Sequence, residues 1–512
     1  MRRSPLVHPL LFAAFPVLFL WASNLDDEIP VGTVIPPLAV SLAGAGAVFA
    51  LIRLLLRNSD AAAFLTTLLL VLFFSFGHVE NAIDPLGFQT RESVLLVEWG
   101  LIALAAVLTT LRFRRRLRAI TPGLNALGAV LVLLNLVPIV LAGPGGETSR
   151  AGDALPRGMH IVGEPRDVYY VIFDRYANED VLAERFGFDN SEMLSWLESQ
   201  GFYVARDSVA NYPKTAHSLA SSLNMTYLTD LARSAGADSH DWEPILVMLS
   251  DFKVARYFRA LGYRYYHIGS WWTPTREDSS ADVNFTFGAP SEFSSALLAT
   301  TAWEPISEGL GIGPFLGFDE AQYERVQYQF EKLEQIPEID GPTFTFVHFT
   351  LPHAPYVFDG DGDYMPPAVV RQRTLTESYL EQLRYTNSRM KEMVSALLAG
   401  PDQSDPIVIL QSDEGPHPVA LEYDEAGYKW TEASDEDLEL KLSILNAYYF
   451  PGVSLGALYP GITPANTFRL VFDLYFAADL PLLEDRVWVF EDSAHPYRLT
   501  EVTERFSAAA AG

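Results

Sequence analysis

Apolar positions gather into five long runs over the first part of the chain. After them come short apolar runs that alternate with amphipathic stretches. The long runs cover 6–22, 34–52, 61–76, 94–110 and 124–142. Each approaches the roughly 20 residues a helix needs to cross a hydrocarbon core, with the first and third at the short end. A signal peptide accounts for one such run and not for a series, so a bundle of five membrane-spanning helices is expected. Positive charge stays on the cytoplasmic side of a membrane. Met1-Arg2-Arg3, Arg53 with Arg57, and Arg112, Arg114, Arg115, Arg116 and Arg118 fall on one side of the bundle. Asp26, Asp27, Glu28, Glu80 and Asp84 fall on the other. The reading is a multi-pass protein of the cytoplasmic membrane with a cytoplasmic N-terminus. Five spans then deliver the rest of the chain to the extracytoplasmic side.

The short runs have a different grammar. DVYYVIFD at 167–174, 344–349 and PIVIL at 406–410 are continuously apolar and rich in β-branched or aromatic residues, as strands buried on both faces are. Further strands are expected at 203–209, 263–269 and 442–450. Helical patterns lie between and around them at 179–186, 190–199, 216–223, 374–398 and 465–476, the last behind the cap-then-proline pair Thr463-Pro464. Alternating strands and helices predict an α/β sandwich with a largely parallel central sheet. The chain thus divides into a five-helix transmembrane domain at 1–142, a linker rich in glycine, proline and charge at 143–165, an α/β domain at 166–506, and a small-residue tail at 507–512.

Charge sharpens this division. The chain of 512 residues has a net charge of −28. Its first 145 residues hold 10 Lys/Arg and 8 Asp/Glu, leaving 26 against 56 in the remainder. An acidic soluble domain lacks the basic footprint that polynucleotide binding requires, so no nucleic-acid partner is expected. Local basic help for an anionic substrate would have to come from residues such as Arg175 or Lys214. The absence of cysteine removes disulfides, thiolate metal sites and cysteine nucleophiles.

The candidate chemistry lies where strands end. Asp174 closes the first buried strand, and Asp413 and Glu414 follow the strand at 407–410 directly before Gly415. Acids there are poorly placed for packing but well placed for a ligand, and they read as metal ligands. Thr215 stands where the N-cap of the helix at 216–223 belongs. A hydroxyl there serves either as an ordinary cap or as a nucleophile stabilised by the helix dipole and a metal. Ser218 is a weaker candidate for the second role. His348 and His353 flank a proline turn in HFTLPHAPY, a spacing unlike helical zinc motifs, and His417 follows the acidic pair.

In this order, Asp, then Thr, then PH-x-PY, then SD-x-G, the chain resembles the alkaline phosphatase and sulfatase superfamily. With five spans ahead of the domain, it is similar to lipoteichoic acid synthases and lipid A phosphoethanolamine transferases. The resemblance implies Asp174 and Asp413 as metal ligands, Thr215 as nucleophile and fourth ligand, and His353 as a substrate or second-metal histidine. The family's SDHG histidine is here Glu414, and His417 is a candidate replacement. The implied activity is metal-dependent transfer of a phosphoryl or phospho-alcohol group through a phosphothreonine, with His353 or His417 protonating the leaving alcohol. A membrane lipid and a lipid-linked or glycan envelope substrate would be its partners. An extracytoplasmic phosphodiesterase or sulfatase-like hydrolase, and a non-catalytic binding domain of the same fold, are the alternatives. An all-oxygen site favours one or two Mn²⁺, Mg²⁺ or Ca²⁺ ions over Zn²⁺. Sulfatase chemistry proper is disfavoured because the stretch before Thr215 lacks the family's C/S-x-P-x-R motif.

Overall fold

The computed structural model describes residues 4–24, 31–83, 92–114, 116–142, 155–288, 291–310, 317–400, 405–418, 421 and 427–509. The first three residues, Asp26, Asp27, Glu28, Asp84, Arg115, the linker up to residue 154 and residues 510–512 lie outside the described residues, as does the Glu80 side chain. The chain divides into two compact units, Met1–Gly146 with Ala289–Phe318, and Glu147–Gly288 with Asp319–Gly512.

In the first unit all five apolar runs are helical, as His8–Ser23, Val31–Leu56, Ser59–Ile83, Glu92–Phe113 and Thr121–Ala142. Four of them are long and apolar enough to cross a membrane. His8–Ser23 has 16 residues, which at about 1.5 Å per residue falls short of a hydrocarbon core about 30 Å thick. Residues 291–310, read from the sequence as part of the soluble domain, pack in this unit instead. Phe293 and Leu297 are buried with Val17 and Val34, and Ala302 N–H donates to the Phe73 carbonyl at 2.9 Å.

The second unit is built on a seven-stranded sheet: β1 (Val168–Phe173), β2 (Tyr203–Val204), β3 (Arg264–Ile268), β4 (Val283–Phe285), β5 (Thr343–Phe349), β6 (Ile407–Gln411) and β7 (Asn446–Tyr449). Their order is β2-β7-β6-β1-β5-β3-β4. The run β6-β1-β5-β3-β4 is parallel throughout, while β7 pairs antiparallel with both β6 and β2. The sheet is therefore mixed, with a parallel interior and an antiparallel strand near one edge. β7 is also shorter than the expected 442–450: Leu442 ends the helix Asp435–Leu442, and Ser443 and Ile444 make isolated bridges to Val209 and Ala177.

The continuous apolar character of β1 follows from burial on both faces. Val168, Tyr170 and Ile172 enter one core with Leu219, Phe258, Phe344, Phe468 and Phe472. Tyr169, Val171 and Phe173 enter the other with Phe330, Leu383 and Met390. The helices Thr215–Asn224, Lys253–Ala260 and Pro464–Phe476 thus cover one face, and Phe318–Glu334 and Leu375–Leu398 cover the other. Leu375–Leu398 starts on a complete capping box between Thr374 and Glu377, worth about 1 kcal/mol.

Gly269 ends β3 and lets the following loop fold back onto the sheet. Its N–H donates to the Phe285 carbonyl at 3.0 Å, and a Cβ there would lie 1.9 Å from the Arg276 carbonyl oxygen. That oxygen is backbone and cannot rotate away. Gly269→Ala is therefore expected to destabilise the protein by about 1–3 kcal/mol and to displace the loop carrying Thr275, read as a lower melting temperature of the detergent-solubilised chain. An unchanged melting temperature would show that the close approach is not a constraint.

Candidate active site

Parallel pairing fixes which residues meet. Ile172 of β1 stands in register with His348 of β5 on one side and Gln411 of β6 on the other. Asp174 and Asp413 each lie two residues beyond that line, and His348 lies on it. His348 Nε2 is 3.7 Å from Asp174 Oδ2. Asp174, His348 and Asp413 each offer a ligand atom within 4.8 Å of the others. All three side chains are buried, Asp413 to 1% exposure. Asp174 Oδ1, His348 Nε2 and both Asp413 carboxylate oxygens make no hydrogen bond among the described residues.

Burial first, and then the Glu414 carboxylate, push the Asp174 carboxyl up to about 7, against the opposing pull of Arg175 and Lys441. Asp413 is pushed well above the carboxylate range by burial, Asp174 and Glu414, while His348 and the Thr215 hydroxyl pull the other way. Burial holds the His348 imidazole below its ordinary value. Crowded carboxylates facing a bare imidazole nitrogen are unfavourable alone and fit a divalent cation well.

His348 is held from behind. Its Nδ1 lies 2.9 Å from Thr275 Oγ1, which is 2.8 Å from Ser270 Oγ. Gln329 donates to the His348 carbonyl at 2.9 Å and to the Gly269 carbonyl at 3.1 Å. With Nδ1–H donating to Thr275, Nε2 presents its lone pair to the two carboxylates, as a ligand must.

The other expected site residues take distinct places. Thr215 is the first residue of its helix, and Lys214 stands at the N-cap without a side-chain cap bond. The helix thus starts one residue earlier than the pattern predicts. Thr215 is half-buried and near Asp413, and it does not occupy the cap position. Ser218 is buried one turn further in. Glu414 stands outside the three-residue group. Its Oε1 accepts from Lys441 Nζ at 2.5 Å and lies 3.6 Å from Arg175 Nε and 3.7 Å from His417 Nε2. Lys441 is 0% exposed and also donates to the Gly415 carbonyl at 3.1 Å. Burial pulls its ammonium down to about 8, with Glu414 opposing.

His417 and His353 lie on the Arg175 side. Arg175 Nη2 donates to His417 Nε2 at 2.6 Å. An arginine only donates, so this ring's proton sits on Nδ1. His353 Nδ1 donates to the Ala354 carbonyl, which leaves its Nε2 as an acceptor. Burial, followed by Arg175, holds His353 well below its ordinary pKa, so it is neutral at pH 7. Gln382 fixes the loop by donating to the His353 carbonyl at 2.6 Å and accepting from Val357 N–H at 2.8 Å. Trp271 and Trp272 line the same region, with ring centroids 6.0 Å from His353 and 6.1 Å from His348 respectively.

His348 was not singled out as a ligand by the sequence reading, and it introduces a nitrogen donor. The premise of an all-oxygen site therefore does not hold for this group. The available signal was an imidazole inside a run that is otherwise apolar apart from threonine, one residue from the strand's end. Lys441 gave no signal, since it reads as one charge among many in DEDLELKL.

Two measurements follow from this geometry. A carboxyl whose folded pKa lies above its unfolded value of about 3.9 binds its proton more tightly when folded. Stability from Asp174 is then fully present below pH about 4 and is lost as pH rises towards 7. The melting temperature of chelator-treated protein should fall across that window, and Mn²⁺ or Zn²⁺ should raise it at pH 7. A melting temperature indifferent to both ions would exclude a cation at this group. Thr275→Val should weaken cation affinity about 10–100-fold by freeing the His348 ring, measured by calorimetric titration. Unaltered affinity would remove Thr275 from the site.

The family model for sulfatases matches residues 166–442. No curated protein matches the chain. Among solved structures, the zinc complex of the C-terminal periplasmic domain of EptC from Escherichia coli is similar, with a TM-score of 0.42 and 13% identity over 66% of this chain and 93% of that one. The soluble domain of lipooligosaccharide phosphoethanolamine transferase A from Neisseria meningitidis gives 0.37 and 12%, over 62% of this chain and 92% of that one. Phosphonate monoester hydrolase of Agrobacterium radiobacter gives 0.41 and 12%, over 63% and 80%. With the family match extending from the start of β1 to the helix that carries Lys441, the chain belongs to the sulfatase family.

Proposed function

We propose that the chain is a membrane-anchored, metal-dependent enzyme that transfers a phosphoryl or phospho-alcohol group in the cell envelope, with Thr215 as nucleophile. The observation that carries this reading is the Thr215 hydroxyl, at a helix N-terminus and near a buried Asp413 whose oxygens make no hydrogen bond among the described residues. The α/β domain is read as extracytoplasmic, and the substrate as a membrane lipid or a lipid-linked or glycan component of the envelope.

Asp174, His348 and Asp413 would hold one divalent cation, with Thr215 as a fourth donor on the open side. When bound, that cation supplies a lower hydroxyl pKa and a counter-charge for the transferring group. The two-oxygen, one-nitrogen set accommodates Zn²⁺ or Mn²⁺ better than Ca²⁺. Thr215 gives up its hydroxyl proton to water and its Oγ attacks phosphorus as the bond to the leaving alcohol breaks, forming a phosphothreonine. Unpaired N–H groups of the first helical turn take up charge on the phosphoryl oxygens. The leaving alkoxide takes a proton from water or from the His417 side. In the second half, His353 Nε2, neutral and unprotonated, accepts the proton of the incoming hydroxyl as that oxygen displaces Thr215. Glu414 acts indirectly in this scheme, by keeping Lys441 and Arg175 fixed beside the carboxylates.

Thr215→Ala is expected to lower turnover about 10³-fold or more, while Thr215→Ser keeps part of it. The assay follows a labelled phospholipid donor in membranes containing the protein. Label appearing in a second lipid or glycan identifies a transferase, and label released to water identifies a hydrolase. If Thr215→Ala matched wild type, Thr215 could not be the nucleophile.

A further inference from the structure

Arg325 is a buried cation with no anionic partner among the described residues. It lies on the helix Phe318–Glu334 and is 3% exposed. Among the described residues no carboxylate lies within ion-pair distance of it, although the chain carries 64 acids against 36 basic residues. One of its N–H groups donates to Gln322 Oε1 at 2.8 Å, and the guanidinium stacks 5.7 Å from the Phe287 ring centroid. Arg469 makes the informative contrast. It too has no acid, but its three nitrogens donate to the Met225 and Pro481 carbonyls at 2.7 to 3.0 Å. No such acceptors serve Arg325. Burial, reinforced by the like charge of Arg276, pulls Arg325 down to about 10. Arg276 is thus near enough to Arg325 for its charge to be felt there.

The surroundings place this pair beside the candidate active site. Gln322, which accepts from Arg325, donates to Thr350 Oγ1 at 2.7 Å, two residues beyond His348. Gln329, one turn further along the helix, bonds the His348 carbonyl. Arg276 follows Thr275, the hydroxyl behind His348, and its carbonyl accepts from Thr286 next to Phe287. All of this lies past the carboxyl ends of β3 and β5, where open α/β sheets take their ligands. Guanidinium groups match tetrahedral oxyanions through paired, charge-assisted hydrogen bonds.

We propose that Arg325, with Arg276 beside it, forms an oxyanion subsite that binds a phosphate or similar anion of the substrate other than the group being transferred. The proposal deepens the reading above and rests on it only for what carries the anion. Phosphate borne by a lipid and free phosphate share this chemistry.

The test is binding to the full chain in detergent after removal of metal, so that neither the cation nor Thr215 chemistry contributes. Inorganic phosphate and a short-chain phosphatidate are titrated separately by calorimetry. Wild type should bind at least one of them, and preference for phosphatidate would identify a lipid-borne anion. Arg325→Met should lower that affinity about tenfold or more, Arg325→Lys should recover part of it, and Arg276→Gln should lower it several-fold. If Arg325→Met does not fold, Arg276→Gln, at a half-buried position, carries the test. Failure of wild type to bind either probe, or affinity unchanged in a folded variant, would overturn the subsite. Those results leave the nucleophile assignment standing, because Thr215→Ala turnover is read independently.

Discussion

Three carboxylates buried at the carboxyl end of two neighbouring strands are the constraint on which the rest of this domain depends. Asp174 and Asp413 follow neighbouring parallel strands, and Glu414 follows at once. Parallel pairing leaves no alternative, because strands about 4.8 Å apart in fixed register deliver their next residues to the same place. If all three are ionised, the fold sets only Arg175 and Lys441 against them, which leaves one charge uncompensated when His348 is neutral and favours protons on the two aspartates. A divalent cation reverses that sign, turning a self-repelling pocket into one that attracts anions.

The departure at position 414 is absorbed by a second residue. Glu414 is paired with a lysine that has no solvent exposure, and the same lysine binds the Gly415 carbonyl. Gly415 is pressed against the helix that supplies Lys441. Its N–H donates to the Lys441 carbonyl at 2.6 Å, and a Cβ would lie 2.3 Å from the Leu440 carbonyl oxygen. Glutamate, glycine and lysine therefore form one unit. A glutamate here without Lys441 would keep only the more distant Arg175 against its buried charge. The one nitrogen in the candidate group comes from His348 on β5.

Much of this was legible in the sequence, for a physical reason. Strands buried on both faces are continuous apolar runs, so an acid at their end stands out, and Asp174 and Asp413 were readable from that alone. Thr215 was readable because proline at 213 delays the helix, although the helix starts one residue sooner than a capping threonine would allow. His348 and Lys441 were not readable, since their roles depend on strand order and on a helix arriving from elsewhere. β5 pairs with β1 across about 170 residues of chain, and no local pattern states which neighbour β1 will have. The antiparallel β7 was missed for a related reason, as its direction is set by the helix Asp435–Leu442 that precedes it. The packing of 291–310 with the apolar helices was hidden because short amphipathic helices look alike whichever core they enter.

The position of Thr215, the proposed nucleophile, ties these pieces together. Every residue of the helix after Thr215 is buried, so the helix cannot shift without disturbing the core beneath it. Its first residue is then fixed relative to β6 to within the tolerance of packed side chains. A threonine spent on capping would have its oxygen turned inwards to the backbone. Placed at the first helical position, with Lys214 at the cap, it lies near Asp413 instead. The helix dipole acts there on the same side as the cation the carboxylates call for. Placement by a rigid helix, more than the chemistry of threonine itself, is what would make this hydroxyl reactive.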